Sequence, residues 1–329
     1  MTISVAPEVR SMKQTPWSSR LTLLAGALAL AGCVLISSPA HAQAVRGSYI
    51  YTLSGFTGAI RQDWSRIAVD RERGEVYALY QNMVRVFNDS GMEVYRFGED
   101  LDFGQILDVA VDDRGDVLLL TYRDHSTAIV RCDYRGRPIS EVALRGLPAA
   151  LHDFAPNRMA YRRGNFYLAS TMGLVVAVTD GEGNVTKTYD LFRMFELEEK
   201  DRGATEVAGF SVDADGNILL TVPVMFRAFV LAPDGSLAAF GKPSSAPGGF
   251  NIAAGIARDR RGNIVVIDRL KASVLVFDKT LKFVTQFGGY GRKPNQLVFP
   301  DDVAVGNDDR VYVTQSGKKG ISVFKLTYD

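Results

Sequence analysis

A single phrase recurs six times along this chain, and its period constrains the fold more than any other feature. In each copy a short apolar run meets an Asp-rich or Arg-rich turn, then a second apolar run. Ile67-Ala68-Val69-Asp70 leads to Gly74 and then Val76 to Leu79. Val109-Ala110-Val111-Asp112 leads to Gly115 and Val117 to Leu120. Met159-Ala160-Tyr161 leads to Gly164 and Phe166 to Ala169. Phe210-Ser211-Val212-Asp213 leads to Gly216 and Ile218 to Leu220. Ile256-Ala257-Arg258-Asp259 leads to Gly262 and Ile264 to Ile267. In the sixth copy, Val303-Ala304-Val305 leads to Val311 to Val313, with Asp309 in the Gly slot. The turn glycines are spaced 41, 49, 52 and 46 residues apart. That period suits a unit of four short strands joined by short turns. The Asp side chain and the Gly backbone are what a tight hairpin needs, and the runs rich in Val and Ile are those of buried strands.

Third strands are predicted at Val84 to Phe87, Ala128 to Cys132, Leu174 to Val178, Phe229 to Leu231, Val274 to Phe277 and Ile321 to Phe324. Fourth strands are predicted at Val94 to Phe97, Ile139 to Ala143, Val185 to Tyr189, Leu237 to Phe240 and Phe283 to Phe287. Six units thus have only five fourth strands. The missing one has a counterpart before the first unit, where Tyr49 to Phe56 reads like Phe283 to Gly289. The inference is an all-β, six-bladed β-propeller of four-stranded blades, with the ring closed by the N-terminal strand so that no blade keeps an open edge.

Two stretches carry a family resemblance. Gly255-Ile256-Ala257-Arg258-Asp259 to Phe287-Gly288, and Gly291 to Pro300 with Asp302-Val303-Ala304-Val305, resemble NHL repeats, as does the Gly248-Gly249-Phe250 connector. The resemblance extends over most of 47–326 and is weakest in the third unit, where Tyr161-Arg162-Arg163 departs from the pattern. It implies a propeller that presents loops on two faces.

Residues 1–42 read as a secretory signal. Arg10, Lys13 and Arg20 precede the uncharged apolar run Leu21 to Ile36, and Ala40-His41-Ala42 forms a small-x-small cleavage site. The run is too short for a spanning helix, which needs about 20 apolar residues. The competing reading is a lipoprotein anchored through Cys33, because Leu30-Ala31-Gly32-Cys33 resembles a lipobox. Val34-Leu35-Ile36 stands where a polar tether belongs, which favours cleavage after Ala42. The expected folded part is then a single domain over 43–329, periplasmic or secreted. It holds 35 basic and 36 acidic side chains, so no basic excess points to nucleic acid. It retains one cysteine, Cys132, which leaves no intramolecular disulfide, and Cys132 lies in a strand-like run that suits a buried, inert thiol.

Chemistry is sparse. His125 and His152 have no companion at zinc-ligand spacing, and no nucleophile elbow, phosphate loop or EF-hand pattern occurs. One polar set remains, placed just before the innermost strands: Asp63, Asp108, Asp153, Glu206, Asn251 and Asp301. Such positions cluster near one end of a propeller channel, where several carboxylates and an amide could hold calcium. The plainer reading is that they cap turns, since their offsets from the strands differ. The longest connector, 189–208, suits a short helix with Leu191, Met194, Phe195 and Leu197 on one face. It reads as a cover over a blade edge or as a partner-binding element. The expected function is therefore a non-enzymatic protein–protein interaction scaffold in the bacterial cell envelope, with no cofactor. The alternative is a calcium-dependent lactonase or hydrolase acting in the channel. A glycan binder using Trp64, Tyr122 and Tyr290 is a third possibility.

Overall fold

The Asp-Gly hairpins that punctuate the sequence do so by hydrogen bonding to their own backbone. In a computed structural model, which describes residues 45–63, 65–99 and 102–329, the Asp112 carboxylate accepts from the backbone N–H groups of Arg114 and Asp116 at 2.8 and 2.9 Å. Asp213 and Asp259 repeat the arrangement two and four residues ahead. Gly115, Gly216 and Gly262 follow with φ of 84–90°, a region closed to most side chains. In the sixth copy Asp309 takes that slot with φ 63°, as a residue tolerant of the left-handed region can. The expected signal segment, Cys33 and Trp64 lie outside the described residues.

These hairpins organise six four-stranded antiparallel sheets. Blade 1 comprises Arg66–Val69, Val76–Tyr80, Met83–Phe87 and Glu93–Phe97. Blade 2 comprises Gln105–Val111, Val117–Arg123, Ser126–Cys132 and Pro138–Val142. Blade 3 comprises Arg158–Arg162, Asn165–Ser170, Val175–Thr179 and Val185–Asp190. Blade 4 comprises Gly209–Val212, Ile218–Val222, Arg227–Leu231 and Leu237–Phe240. Blade 5 comprises Ala253–Arg258, Ile264–Asp268, Ser273–Phe277 and Phe283–Gly288. Blade 6 takes Pro300–Val305, Arg310–Gln315 and Ser322–Tyr328 from the end of the chain, and its outer strand, Val45–Thr52, from the beginning. The fold is the six-bladed propeller that the repeat implies.

The closing strand lies further toward the N-terminus than expected. It starts at Val45 rather than Tyr49, runs antiparallel to Ser322–Tyr328 from Val45 opposite Tyr328 to Thr52 opposite Ser322, and carries a bulge between Tyr49 and Tyr51. Gly47 has no side chain for a steric reason: a Cβ there would overlap the ring of Phe287 on blade 5.

Because each blade stands radially, alternate residues of a strand face different neighbours. Val76 and Ala78 pack toward blade 6, with Tyr312, Ile321 and Val323. Tyr77 and Leu79 pack toward blade 2, with Ile106, Val117 and Leu119. The buried apolar residues accordingly form six clusters, each shared by two successive blades. This is why the middle strands read as continuous apolar runs rather than alternating ones. Cys132 lies in one of these clusters, fully buried, and burial pushes its thiol up to about 12.

The connector after blade 3 forms one helical turn, Leu191–Met194, capped by the Asp190 carboxylate on the Arg193 N–H, followed by a 3₁₀ segment, Glu199–Ala204. The apolar face differs in one respect from expectation: Phe192 is buried together with Leu191 and Phe195. Phe195 stacks on Phe229 of blade 4 with ring centroids 4.4 Å apart. The connector thus plugs the interface between blades 3 and 4, which accords with the covering role.

Removing the closing strand strips the partner of Ser322–Tyr328 and uncovers Phe324 and Leu326, both buried. A chain lacking residues 45–52 is expected to lose more than about 10 °C in Tm by differential scanning calorimetry, because each kcal/mol is worth roughly 2–4 °C in a domain of this size and several buried side chains are affected. Melting like the intact chain contradicts the closure.

Candidate functional site: the central channel

The innermost strands all run the same way along the channel, so the fold has an upper face where they begin and a lower face where they end. Near the upper end, Arg158 opens the innermost strand of blade 3. Its Nε lies 3.3 Å from a carboxylate oxygen of Asp108 on blade 2, and its Nη2 lies 3.4 Å from one of Asp302 on blade 6. All three are buried. Asp108 also accepts from the backbone N–H groups of Val109 and Met159 at 2.9 and 2.8 Å, and Asp302 accepts from that of Val303 at 3.0 Å. The ring therefore brings together residues 144 positions apart in sequence. The channel that they border encloses about 90 Å³.

Burial alone would discharge these groups. It lowers the pKa of Arg158, but Asp302 and Asp108 outweigh it and hold the guanidinium charged. Burial holds the Asp302 carboxyl above the ordinary carboxylate range, with Arg158 and Arg66 pulling it back down. Arg66, at the start of blade 1, is lowered first by the positive charge of Arg158 and then by burial. Arg158 and Arg66 are thus offset in the upper channel by Asp108 and Asp302, with a further contribution from the charge of Asp301.

Of the six polar residues expected to ring this end, only Asp108 enters the cluster. Asp63 accepts from the backbone N–H of Lys318 at 2.7 Å, tying blade 1 to blade 6. Asp153 is exposed and pairs with His152 at 3.0 Å. Glu206 is exposed. Asn251 donates its backbone N–H to Asp268 at 2.6 Å. Asp301 pairs with Arg269 and is only partly buried, though its charge still acts on Arg158, Arg66 and Asp302. The six do not converge, and among the described residues no three His, Cys, Asp or Glu side chains gather as a cation site. Asp108, the one that faces the channel, already meets the positive charge of Arg158. The donor set does not fit a calcium ion, which wants six to eight oxygens.

Sequence reasoning passed over Asp302, Arg158 and Arg66. The innermost strand of blade 6 has a register irregularity between Pro300 and Val303. An irregularity of this kind changes which side chains face inward, and here Asp302 is buried while Asp301 is not. The usable signal was a charged residue immediately before four of the recurring apolar runs: Arg66, Asp108, Arg158 and Asp302.

The two faces differ in chemistry. The turns between second and third strands lie on the upper face, and several end in exposed apolar side chains: Tyr122, Met172, Val224, Phe226 and Leu270. Phe299, just before the innermost strand of blade 6, joins them. Met172 and Leu270 are 70% and 59% exposed. The turns between first and second strands lie on the lower face and carry exposed Glu72, Arg114, Arg163, Asp215 and Arg260. Among the described residues, none of these lower turns exposes a large apolar side chain.

No protein-family model matches the chain. Among curated proteins it resembles Protein brain tumor of Drosophila melanogaster, 34% identical over 77 residues, or 23% of this chain and 7% of that protein. The chain therefore matches less than a tenth of that relative's length. Among solved structures it is similar to a structural genomics protein of unknown function from Bacteroides thetaiotaomicron, with a TM-score of 0.62 and 14% identity over 86% of this chain and 76% of that one. A streptogramin B lyase aligns with a TM-score of 0.54 and 12% identity, covering 87% and 98% of the two chains. At such identities the structural likenesses speak to the fold alone.

Replacing Arg158 with Met leaves two buried carboxylates without their shared cation, and chemical denaturation is expected to show a loss of about 3–5 kcal/mol. Asp302→Asn has a distinct pH signature. An acid whose folded pKa is raised contributes stability at low pH that is lost as pH rises through that pKa. The stability of Asp302→Asn relative to the parent is therefore expected to improve as pH rises from about 4, the ordinary aspartate range, to 7. A difference that stays flat, or moves the other way, contradicts the raised pKa.

Proposed function

We propose that this protein is an exported, NHL-like propeller that serves as a non-enzymatic protein–protein interaction scaffold in the bacterial cell envelope. The supporting observation is the apolar rim of the upper face. Tyr122, Met172, Val224, Phe226, Leu270 and Phe299 come from blades 2 to 6 and stand exposed on one side of the ring. Exposed apolar groups spread over one face, on turns held by a rigid scaffold, suit protein docking. On the lower face the turns between first and second strands are charged instead, while Met92 and Tyr134 stand exposed on turns between third and fourth strands. The Asp108–Arg158–Asp302 cluster also supports a structural channel, because its carboxylates are used to neutralise a buried guanidinium. Export is supported by Arg10, Lys13 and Arg20 ahead of Leu21 to Ile36, with the Ala40-His41-Ala42 site downstream.

The test combines Met172→Asp with Leu270→Asp and reads partner capture by crosslinking in the cell envelope. Charge placed in the centre of an interface is expected to weaken capture at least about thirtyfold, equivalent to roughly 2 kcal/mol. The lower-face change Arg163→Asp is expected to leave capture intact. Equal capture by both variants, or calcium-dependent turnover of lactones by the purified protein, contradicts the scaffold reading.

A further inference from the structure

At the lower end of the channel the charge balance changes. Three arginines, from blades 1, 3 and 5, converge on the mouth: Arg71, Arg162 and Arg258. Arg258 ends the innermost strand of blade 5 and pairs with the Asp213 carboxylate of blade 4. Arg71 reaches from blade 1 to donate through Nη2 to the backbone carbonyl of Arg258 at 3.1 Å. Arg162 donates through Nε to the carbonyl of Val212 at 3.1 Å and through Nη1 to its neighbour Tyr161 at 2.8 Å. Arg71 and Arg162 thus hydrogen-bond to backbone carbonyls and, among the described residues, make no ion pair with a carboxylate.

The nearby acids are committed elsewhere. Asp213 accepts from Asp215, from Asn217 backbone and side chain, and from Arg258. Asp259 accepts from Arg261, from Asn263 backbone and side chain, and from the Tyr328 hydroxyl at 2.6 Å. Asp113 stands exposed at the rim, where its charge and that of Asp213 partly offset burial at Arg162, as those of Asp213 and Asp259 do at Arg71. Two further polar atoms bordering the same space, Arg258 Nε and Ser211 Oγ, are buried without a hydrogen-bond partner among the described residues. Burial first, and then the positive charge of Arg71, bring the Arg162 pKa down to about 10, while burial also lowers Arg71. Outward from the channel, Arg71 and Arg162 share the wall of a cavity of about 330 Å³, room for a small ligand.

We propose that the lower channel mouth is a binding site for a small oxyanion, a phosphate or carboxylate group held between Arg71 and Arg162. Two guanidinium forks without carboxylate partners match the planar geometry of such a group, and an anion between them relieves their mutual repulsion. Arg258 Nε and Ser211 Oγ are further donors on the same wall. The site lies on the face opposite the apolar rim and does not rest on the scaffold reading.

The full chain, in chloride buffer at fixed ionic strength, is titrated with inorganic phosphate and separately with succinate. Thermal unfolding is followed for both probes and the phosphorus NMR line width for phosphate. The parent is expected to show a saturable rise in Tm with at least one probe. Arg71→Gln and Arg162→Gln are each expected to weaken binding at least about tenfold, as loss of a charge-assisted hydrogen bond does. Arg162→Lys keeps the charge but loses the fork. It is expected to weaken binding too, and it serves if a Gln variant does not fold. Arg123→Gln, at an exposed turn on the opposite face, is expected to bind as the parent does. Preference for phosphate assigns a phosphoryl ligand and preference for succinate a carboxylate ligand. No saturable response to either probe, or an equal response in the Arg71 and Arg162 variants, overturns the proposal.

Discussion

The pairing of Val45–Thr52 with Ser322–Tyr328 is the contact on which the rest of this structure depends. Each blade buries both faces of its sheet against neighbours, so no blade has a core of its own. An open array leaves the outer faces of its first and last blades bare, as terminal repeats of a solenoid are. Here those two faces meet. Leu53, Ile67, Val76 and Phe87 pack with Tyr312, Ile321 and Val323 across the junction of blades 1 and 6. Hydrogen bonds from the first strand to the last sheet hold that junction together without any covalent tie.

Closure also creates the channel and decides what meets inside it. Arg158 reaches Asp108 and Asp302 because three innermost strands converge there. At the upper end, positive and negative groups offset each other in a buried cluster that links blades 2, 3 and 6. At the lower end, the hydrogen-bond partners of Arg71 and Arg162 among the described residues are backbone carbonyls. The same antiparallel connectivity separates the turn types, so the exposed apolar tips of the turns between second and third strands gather on one face and the charged turns between first and second strands on the other. One topology thus produces two surfaces of different chemistry.

The architecture was legible because it is written in local chemistry. Asp112, Asp213 and Asp259 cap their own turns, and these hydrogen bonds need no knowledge of the rest of the chain. The tail-to-head closure was legible as a matter of counting strands, although Val45 to Ser48 were missed because Arg46, Gly47 and Ser48 do not read as a strand. The channel was far less legible. Asp301 was chosen where Asp302 faces inward, because the local register irregularity is invisible to a rule that counts alternate residues. Arg158 was overlooked because an arginine at a strand terminus ordinarily reads as solvated. Its partners lie 50 and 144 residues away, and only the closed ring brings them to it.

If closure makes the ring one cooperative unit, the blades cannot open independently. Native-state hydrogen exchange across increasing denaturant measures this directly, since it resolves the opening free energy of each strand. The slowest amides of the second and third strands in all six blades are predicted to merge into a single opening, with Val76–Tyr80 and Arg310–Gln315 as protected as Ile218–Val222. Separate, lower openings of blades 1 and 6, with the middle blades still protected, would contradict the account.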